Sequence, residues 1–250
     1  QWIAAELAAG RKPRAINTWL AGIRSFYNWA DEGGIFAANP TTGVKGPARR
    51  NTKRKHYRDP LTDAEMQQLL DAPQGDSPKA IRDRAILYLF AYTAARTVEL
   101  YRANIADLRT KQGHVVLEVL GKGRTEPDDL VIPGAAREVL AAWLAIHRQV
   151  IPPSKDDGAL FVSLSNRGLG NRLSLKSYRE LVKGYMAAVG IVRDRVTTHS
   201  LRHTSITKLI DAVGPTRARE VSRHQSLETL MIYYHEQHRF DDPPEEYIQY

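Results

Sequence analysis

Residues 197–234, TTHSLRHTSITKLIDAVGPTRAREVSRHQSLETLMIYY, bring two kinds of proton carrier and a phosphate clamp into one short stretch of chain. The stretch opens with an H-x-x-R pair, His199 and Arg202, passes through Arg223-His224, and ends on twin tyrosines, Tyr233 and Tyr234. A guanidinium fork matches phosphate oxygens. Imidazole moves protons near neutral pH. A phenol becomes a covalent nucleophile once a base takes its proton. Together these side chains suit the breaking of a phosphodiester. On a helix His199 and Arg202 share a face one turn apart, which puts a proton acceptor and an oxygen clamp at one place. His199 and His203 also have metal-ligand spacing, but the Glu of H-E-x-x-H is missing and a cation stands between them. His203 therefore reads as structural, and neither a metal nor any other cofactor is expected.

The rest of the chain sets the frame for that chemistry. At 250 residues and 42% hydrophobic, it is long and apolar enough for one large domain or two smaller ones, and too apolar to be disordered. Lysine and arginine number 36 against 28 acidic residues, a net charge of +8 that favours nucleic acid or another anionic partner. With no cysteine, the chain has no disulfide framework, thiol nucleophile or thiolate metal site. No apolar run is long enough to span a bilayer, so no membrane partner is expected. The chain begins at Gln1, not Met, and so reads as a piece of a longer protein.

Upstream, residues 14–31 read as an amphipathic helix with Ile16, Leu20, Ile23, Phe26, Tyr27 and Ala30 at three- and four-residue steps. Its aromatic residues are expected in the core, and Gly33-Gly34 ends it. Residues 39–60 read as a linker, with seven Lys and Arg between positions 45 and 58, suited to lying along a phosphate backbone. Thr62-Asp63-Ala64-Glu65 is a capping box that opens a short helix through Ala72. Residues 80–92 form a strongly apolar helix. A turn and a second helix follow, with Arg96 and Glu99 three residues apart. Only 114–119 and 129–132 read as strands, and the glycine-flanked turn between them presents Lys122. Helices are expected again at 135–148 and 174–189; 152–172 is loop-like apart from ALFVS. The fold class is thus mainly α with one small antiparallel β-sheet.

In chain order the candidate groups are Arg96, Lys122, His199, Arg202, His224 and Tyr233. That order and its context resemble the tyrosine recombinase, or phage integrase-like, family. YTAARTVELYRANIADL (92–108) resembles the segment with the family's first catalytic arginine, and VLGKGRTEPDDLVIP (119–133) its β-hairpin lysine segment. TTHSLRHTSIT (197–207) matches the H-x-x-R box, and SRHQSLETLMIYYH (222–235) resembles the final box, in which the nucleophile lies nine residues after the histidine. That spacing selects Tyr233 over Tyr234. INTWLAGIRSFYNWADEGGIFAANP (16–40) resembles the end of the family's N-terminal core-binding domain. There are two departures: Ala94 stands where the family usually has Gly, and Ser222-Arg223 replaces the usual Leu-Gly.

The resemblance implies a domain plan: 1–46 as the end of a helical core-binding domain, 47–60 as a basic linker, 61–235 as the catalytic domain, and 236–250 as a tail exchanged between subunits. It implies a site-specific DNA recombinase that cleaves and rejoins strands through a 3′-phosphotyrosine, with no metal or ATP. The partners it implies are a double-stranded DNA recombination site, a homotetramer on that DNA, and accessory DNA-bending or directionality proteins. The setting is cytoplasmic and nucleoid-associated, of bacterial or phage type. Two other readings use the same scaffold or chemistry: a catalytically silent DNA-binding architectural protein, and a type IB topoisomerase-like enzyme. The complete set of catalytic groups argues against the first, and the close H-x-x-R box against the second.

Overall fold

A computed structural model describes residues 1–36, 38–47, 59–121, 125–223 and 230. The chain divides into two compact units, Gln1–Lys55 and His56–Tyr250. Most of the expected basic linker and all of the expected tail lie outside the described residues.

In the first unit, helix α1 (Trp2–Ala8) precedes helix α2 (Pro13–Glu32). Pro13 occupies the first turn of α2, where its missing N–H breaks no helical bond. The helix stops at Gly33, and Gly34 takes a positive φ of 66°. Ile16, Leu20 and Ala30 are buried as the periodicity predicts. The aromatic face is a correction. Phe26 and Trp29 are 53% and 61% exposed, Trp19 and Ile23 are exposed, and Tyr27 is only half-buried. Among the described residues of this unit, only α1 and the short segments on either side of α2 are available to cover it, and of these Phe36 packs on Tyr27 at 5.4 Å. The rings instead pack on each other, Phe26 against Tyr27 at 5.3 Å and against Trp29 at 6.0 Å.

The second unit is mostly helical, with one three-stranded antiparallel sheet. Helix α3 (Asp63–Asp71) opens with the expected capping box: Thr62 Oγ1 accepts from Glu65 N, and Thr62 N donates to the Glu65 carboxylate. Helix α4 (Pro78–Thr93) is the central core element. It buries Ala85, Ile86, Leu87, Leu89 and Phe90 and packs against α3 and against two later helices, α6 (Gly134–Val150) and α8 (Thr198–Ser222). Its apolar residues go all round because its neighbours do. The short α5 (Thr97–Arg102) follows at once.

The sheet has the order β1-β2-β3, with β1 (Leu108–Lys111), β2 (His114–Val119) and β3 (Asp128–Val131). Leu117 pairs with both Leu108 and Leu130, and Val116 with Val131. Strand β1 is not among the strands read from sequence. Its four residues, LRTK, bury little and carry no alternating apolar signal, because it is a solvent-facing edge. Gln112 and Gly113, both at positive φ, form the two-residue turn that joins it to β2.

ALFVS (159–163) is the most buried part of the loop region. Leu160 O accepts from Trp143 Nε1 at 2.8 Å, and Phe161 stacks on Trp143 at 6.2 Å. Isolated bridges tie Ala159 to Asn104 and Val162 to Arg172. Helix α7 (Leu175–Ala188) sends Tyr178 into the core, where its hydroxyl donates to Leu100 O at 3.1 Å. Within α8, Gly214 (φ 76°, ψ 163°) and Pro215 break the helix, separating the H-x-x-R turn from its final turns. Among the described residues, no helix is long and apolar enough to cross a membrane.

Candidate active site

Two helix ends build the site. Helix α4 ends at Ala94 and helix α8 ends at Arg223, and both cap residues take the left-handed conformation, φ 49° and 52°. The last carbonyls of a helix lack intrahelical donors and carry partial negative charge. Here they face guanidinium groups. Arg202, buried on α8, donates through Nη1 to Ala94 O and through Nη2 to Ser222 O. Arg96 Nη2 donates to Arg223 O at 3.3 Å. The two arginines that stand 106 positions apart in sequence thus hold adjacent carbonyls, Ser222 and Arg223.

Arg96 is the N-cap of α5, and it meets Glu99 as the three-residue spacing predicts. Glu99 reaches back: Oε2 accepts from Arg96 N at 2.7 Å and Oε1 from Arg96 Nη1 at 2.8 Å. Oε2 also accepts from Arg223 Nη2 at 2.9 Å. Burial alone would raise the Glu99 carboxyl. The Arg223 guanidinium, the Arg96 amide and the Arg96 guanidinium together hold it below the usual carboxylate range. Burial pulls the Arg223 guanidinium down from its usual value against the Glu99 charge. A left-handed backbone at a residue with a Cβ costs about 1–2 kcal/mol, and both positions are those where the family pattern has glycine. Ala94 and Arg223 both adopt the left-handed conformation that favours glycine.

His199 is the second residue of α8, exposed, with its backbone N–H donating to Thr197 Oγ1 at 3.3 Å. His203 is buried one turn on, its Nδ1 3.5 Å from Thr207 Oγ1, in keeping with a structural part. Among the described residues, no group of three or more His, Asp or Glu side chains is arranged to hold a metal ion. Lys122, His224 and Tyr233 lie outside the described residues. The structure therefore brings together Arg96 and Arg202 and places His199 on the helix that carries Arg202. The sequence reading noted Arg223 beside His224 and as a replaced glycine, but missed its ion pair with Glu99. An arginine at the end of a helix that precedes a candidate histidine was the available signal.

Residues 60–239 match the sequence model of the Phage integrase family. Tyrosine recombinase XerC of Vibrio vulnificus is 34% identical over 230 residues, covering 90% of this chain and 67% of that protein. The fold is similar to that of XerH site-specific recombinase bound to a palindromic difH substrate in a post-cleavage complex, with a TM-score of 0.63 and 20% identity over 79% of this chain and 58% of that one. It is also similar to the Tn1549 transposon integrase in complex with circular intermediate DNA, with a TM-score of 0.66 and 19% identity over 99% of this chain and 83% of that one. The chain thus spans only part of the length of these relatives.

Proposed function

Because the chain belongs to the Phage integrase family, we propose that it is a site-specific DNA recombinase working through a tyrosine-linked intermediate. The observation that carries this reading is the seating of Arg96 and Arg202 on carbonyls of adjacent residues, 223 and 222, next in sequence to His224. Two guanidinium groups so fixed meet a phosphate with little reorganisation, which is how preorganised charge lowers a barrier. A guanidinium has five N–H donors. Arg96 gives one to Glu99 and one to Arg223 O, and its side chain remains 31% exposed.

In this reading Tyr233 attacks the scissile phosphorus. A phosphotyrosyl bond forms at the 3′ side, and the bond from phosphorus to the 5′-oxygen breaks. His199 takes the phenol's proton, and Lys122 gives a proton to the departing 5′-oxygen. Arg96, Arg202 and His224 stabilise the non-bridging oxygens. The phosphoester energy stays in the protein–DNA linkage, so another 5′-hydroxyl can reseal it. The partner is a double-stranded DNA recombination site, engaged by a homotetramer, with accessory DNA-bending or directionality proteins as further partners. Residues 1–46 would be the end of a core-binding domain, 47–60 a basic linker contacting phosphates, 61–235 the catalytic domain, and 236–250 the segment exchanged between subunits. Phosphate contacts supply much of the affinity and make it fall with salt.

The test is Tyr233→Phe. The variant is expected to form no covalent protein–DNA adduct while binding DNA as the wild type does. An adduct that persists in the variant assigns the nucleophile elsewhere, with Tyr234 first in line. Specific binding without any adduct in the wild type would replace the reading with that of an architectural DNA-binding protein.

A further inference from the structure

Arg223 occupies a left-handed position, φ 52° and ψ 37°, that glycine would fill without strain. Its side chain does not reach into solvent. It is 4% exposed and turns inward, donating through Nη1 to Val221 O at 2.6 Å and through Nη2 to Glu99 Oε2 at 2.9 Å. A buried cation is retained there only if it is paired. Its partner, Glu99, is the residue that holds Arg96 by both backbone and side chain. Residue 223 therefore grips Arg96 from two directions, through Glu99 and through its own carbonyl.

We propose that Arg223 is a positioning residue for Arg96: its guanidinium locks the Glu99 carboxylate in the orientation that presents the Arg96 fork to the scissile phosphate. This inference rests on the recombinase reading. The ion pair fixes Oε2, leaving Oε1 to orient Arg96 Nη1. Without it, Oε2 meets only the Arg96 amide among these contacts, and the carboxylate gains freedom to rotate, carrying Arg96 with it. The charged groups facing Glu99 are Arg96 from the start of α5 and Arg223 from the end of α8, and Asp128 of β3 acts on Arg223. Arg202 reaches the same carbonyl cluster from α8. Arg223 directs both terminal nitrogens of its guanidinium to protein acceptors, Val221 O and Glu99 Oε2, so its effect passes through Arg96.

The experiment compares the full chain with R223G, which relieves the left-handed backbone, and R223K, which keeps the charge and loses the fork. One readout is the single-turnover rate of adduct formation, across acid to neutral pH, on a nicked duplex carrying the sequence recovered from wild-type adducts. R223G is expected to slow adduct formation about tenfold with DNA affinity nearly unchanged. Its acid limb should move to higher pH, because Glu99 loses a cation that keeps it ionised. R223K should recover most of the rate and keep the wild-type limb. The proposal is overturned if R223G matches the wild type, or if it weakens rate and affinity alike with the limb unmoved. Should R223G fail to fold, R223K decides: a limb shifted to higher pH despite the retained charge overturns the proposal. The second readout needs no cognate DNA. Inorganic phosphate is titrated into protein labelled with 15N-arginine, and the Arg96 side-chain resonance is followed. A response in the wild type that is lost in R223G and regained in R223K supports the proposal; equal responses overturn it. If the wild type forms no adduct on any duplex, the recombinase reading fails, and this titration still judges Arg223.

Discussion

Replacing Glu99 by glutamine keeps the shape of the side chain and removes its charge. The Glu99 side chain is fully buried, and its carboxylate accepts from Arg96 N at 2.7 Å, Arg96 Nη1 at 2.8 Å and Arg223 Nη2 at 2.9 Å. Arg96 is 31% exposed, so water takes over part of what it loses and its contribution is discounted. Arg223 is 4% exposed and has no such recourse. Removing one partner from a buried pair costs about 3–5 kcal/mol, mostly through the charge left behind. A domain of this size loses about 2–4 °C of Tm per kcal/mol, so Glu99→Gln should lower Tm by about 6–20 °C. The assay is urea denaturation, checked by calorimetry, on Glu99→Gln, Arg223→Met and the double variant. The double variant should be less destabilised than the sum of the single variants, because removing both charges leaves neither uncompensated. The pH dependence follows from the same pair. The folded Glu99 carboxyl sits below its ordinary value, so its contribution is present above that ordinary value and is lost as pH falls through the folded one. A loss under about 1 kcal/mol for Glu99→Gln, or strictly additive single variants, would refute the claim that this buried ion pair ties α5 to the end of α8.

Ala94→Gly should be nearly neutral. Relief of about 1–2 kcal/mol of left-handed strain offsets about 0.8 kcal/mol for the buried methyl and about 0.4–1 kcal/mol of chain entropy. A urea midpoint lowered by more than these opposing effects allow would mean that the methyl's packing beside Ile206 and Ile210 outweighs the backbone. His147 is fully buried against Trp143, ring centroids 5.4 Å apart, and neither ring nitrogen has a hydrogen-bond partner among the described residues. Burial holds its pKa below the ordinary 6.5, only partly opposed by Asp156, whose carboxylate lies 3.9 Å from Nδ1. Its contribution to stability should therefore be present above pH 6.5 and be lost as pH falls from there through the lower folded value. His147→Leu should flatten that part of a stability–pH curve measured by urea denaturation; a slope that survives assigns it to other groups.

Much of the helical frame was legible because its signals are local. The Thr62 capping box, the apolar run of α4 and the 3.6-residue period of α6 and α7 each lie within one segment. Strand β1 was not, because an edge strand is stabilised by its partner's hydrogen bonds and not by its own apolar pattern. Lys111 instead bridges Glu118 at 2.9 Å and Asp129 at 2.8 Å across the sheet, a cue available only once the register is known. The Gln112-Gly113 pair was the local cue available. The aromatic residues of α2 show the opposite failure. Periodicity identified an apolar face correctly, but it cannot say whether another element covers that face. At the candidate site, Arg96, His199 and Arg202 were each legible as residues, and the spacing of His199 and Arg202 as one helix turn. The meeting of Arg96 with Arg202 was not legible from spacing, because it depends on two chain reversals far apart in sequence.

Those reversals are made at two residues that carry a Cβ, Ala94 and Arg223. Ala94 and Arg223 each end a helix, and a left-handed cap turns the chain so that the last carbonyls point outward. Arg202 bridges the two ends by taking one carbonyl from each, Ala94 and Ser222. A buried guanidinium between two negative helix ends is stabilised by both dipoles, and it in turn holds the caps in their strained conformation. The left-handed caps at Ala94 and Arg223 thus share one guanidinium, which bonds Ala94 O at the first and Ser222 O next to the second. Losing Arg202 should release both caps together. Arg202→Met, which keeps length and removes the donors, is therefore expected to destabilise the end of α4 and the end of α8 alike, read as faster amide exchange near both residues 94 and 223. Faster exchange at one end alone would show that the two caps are independent and that the coupling argued from the shared guanidinium is wrong.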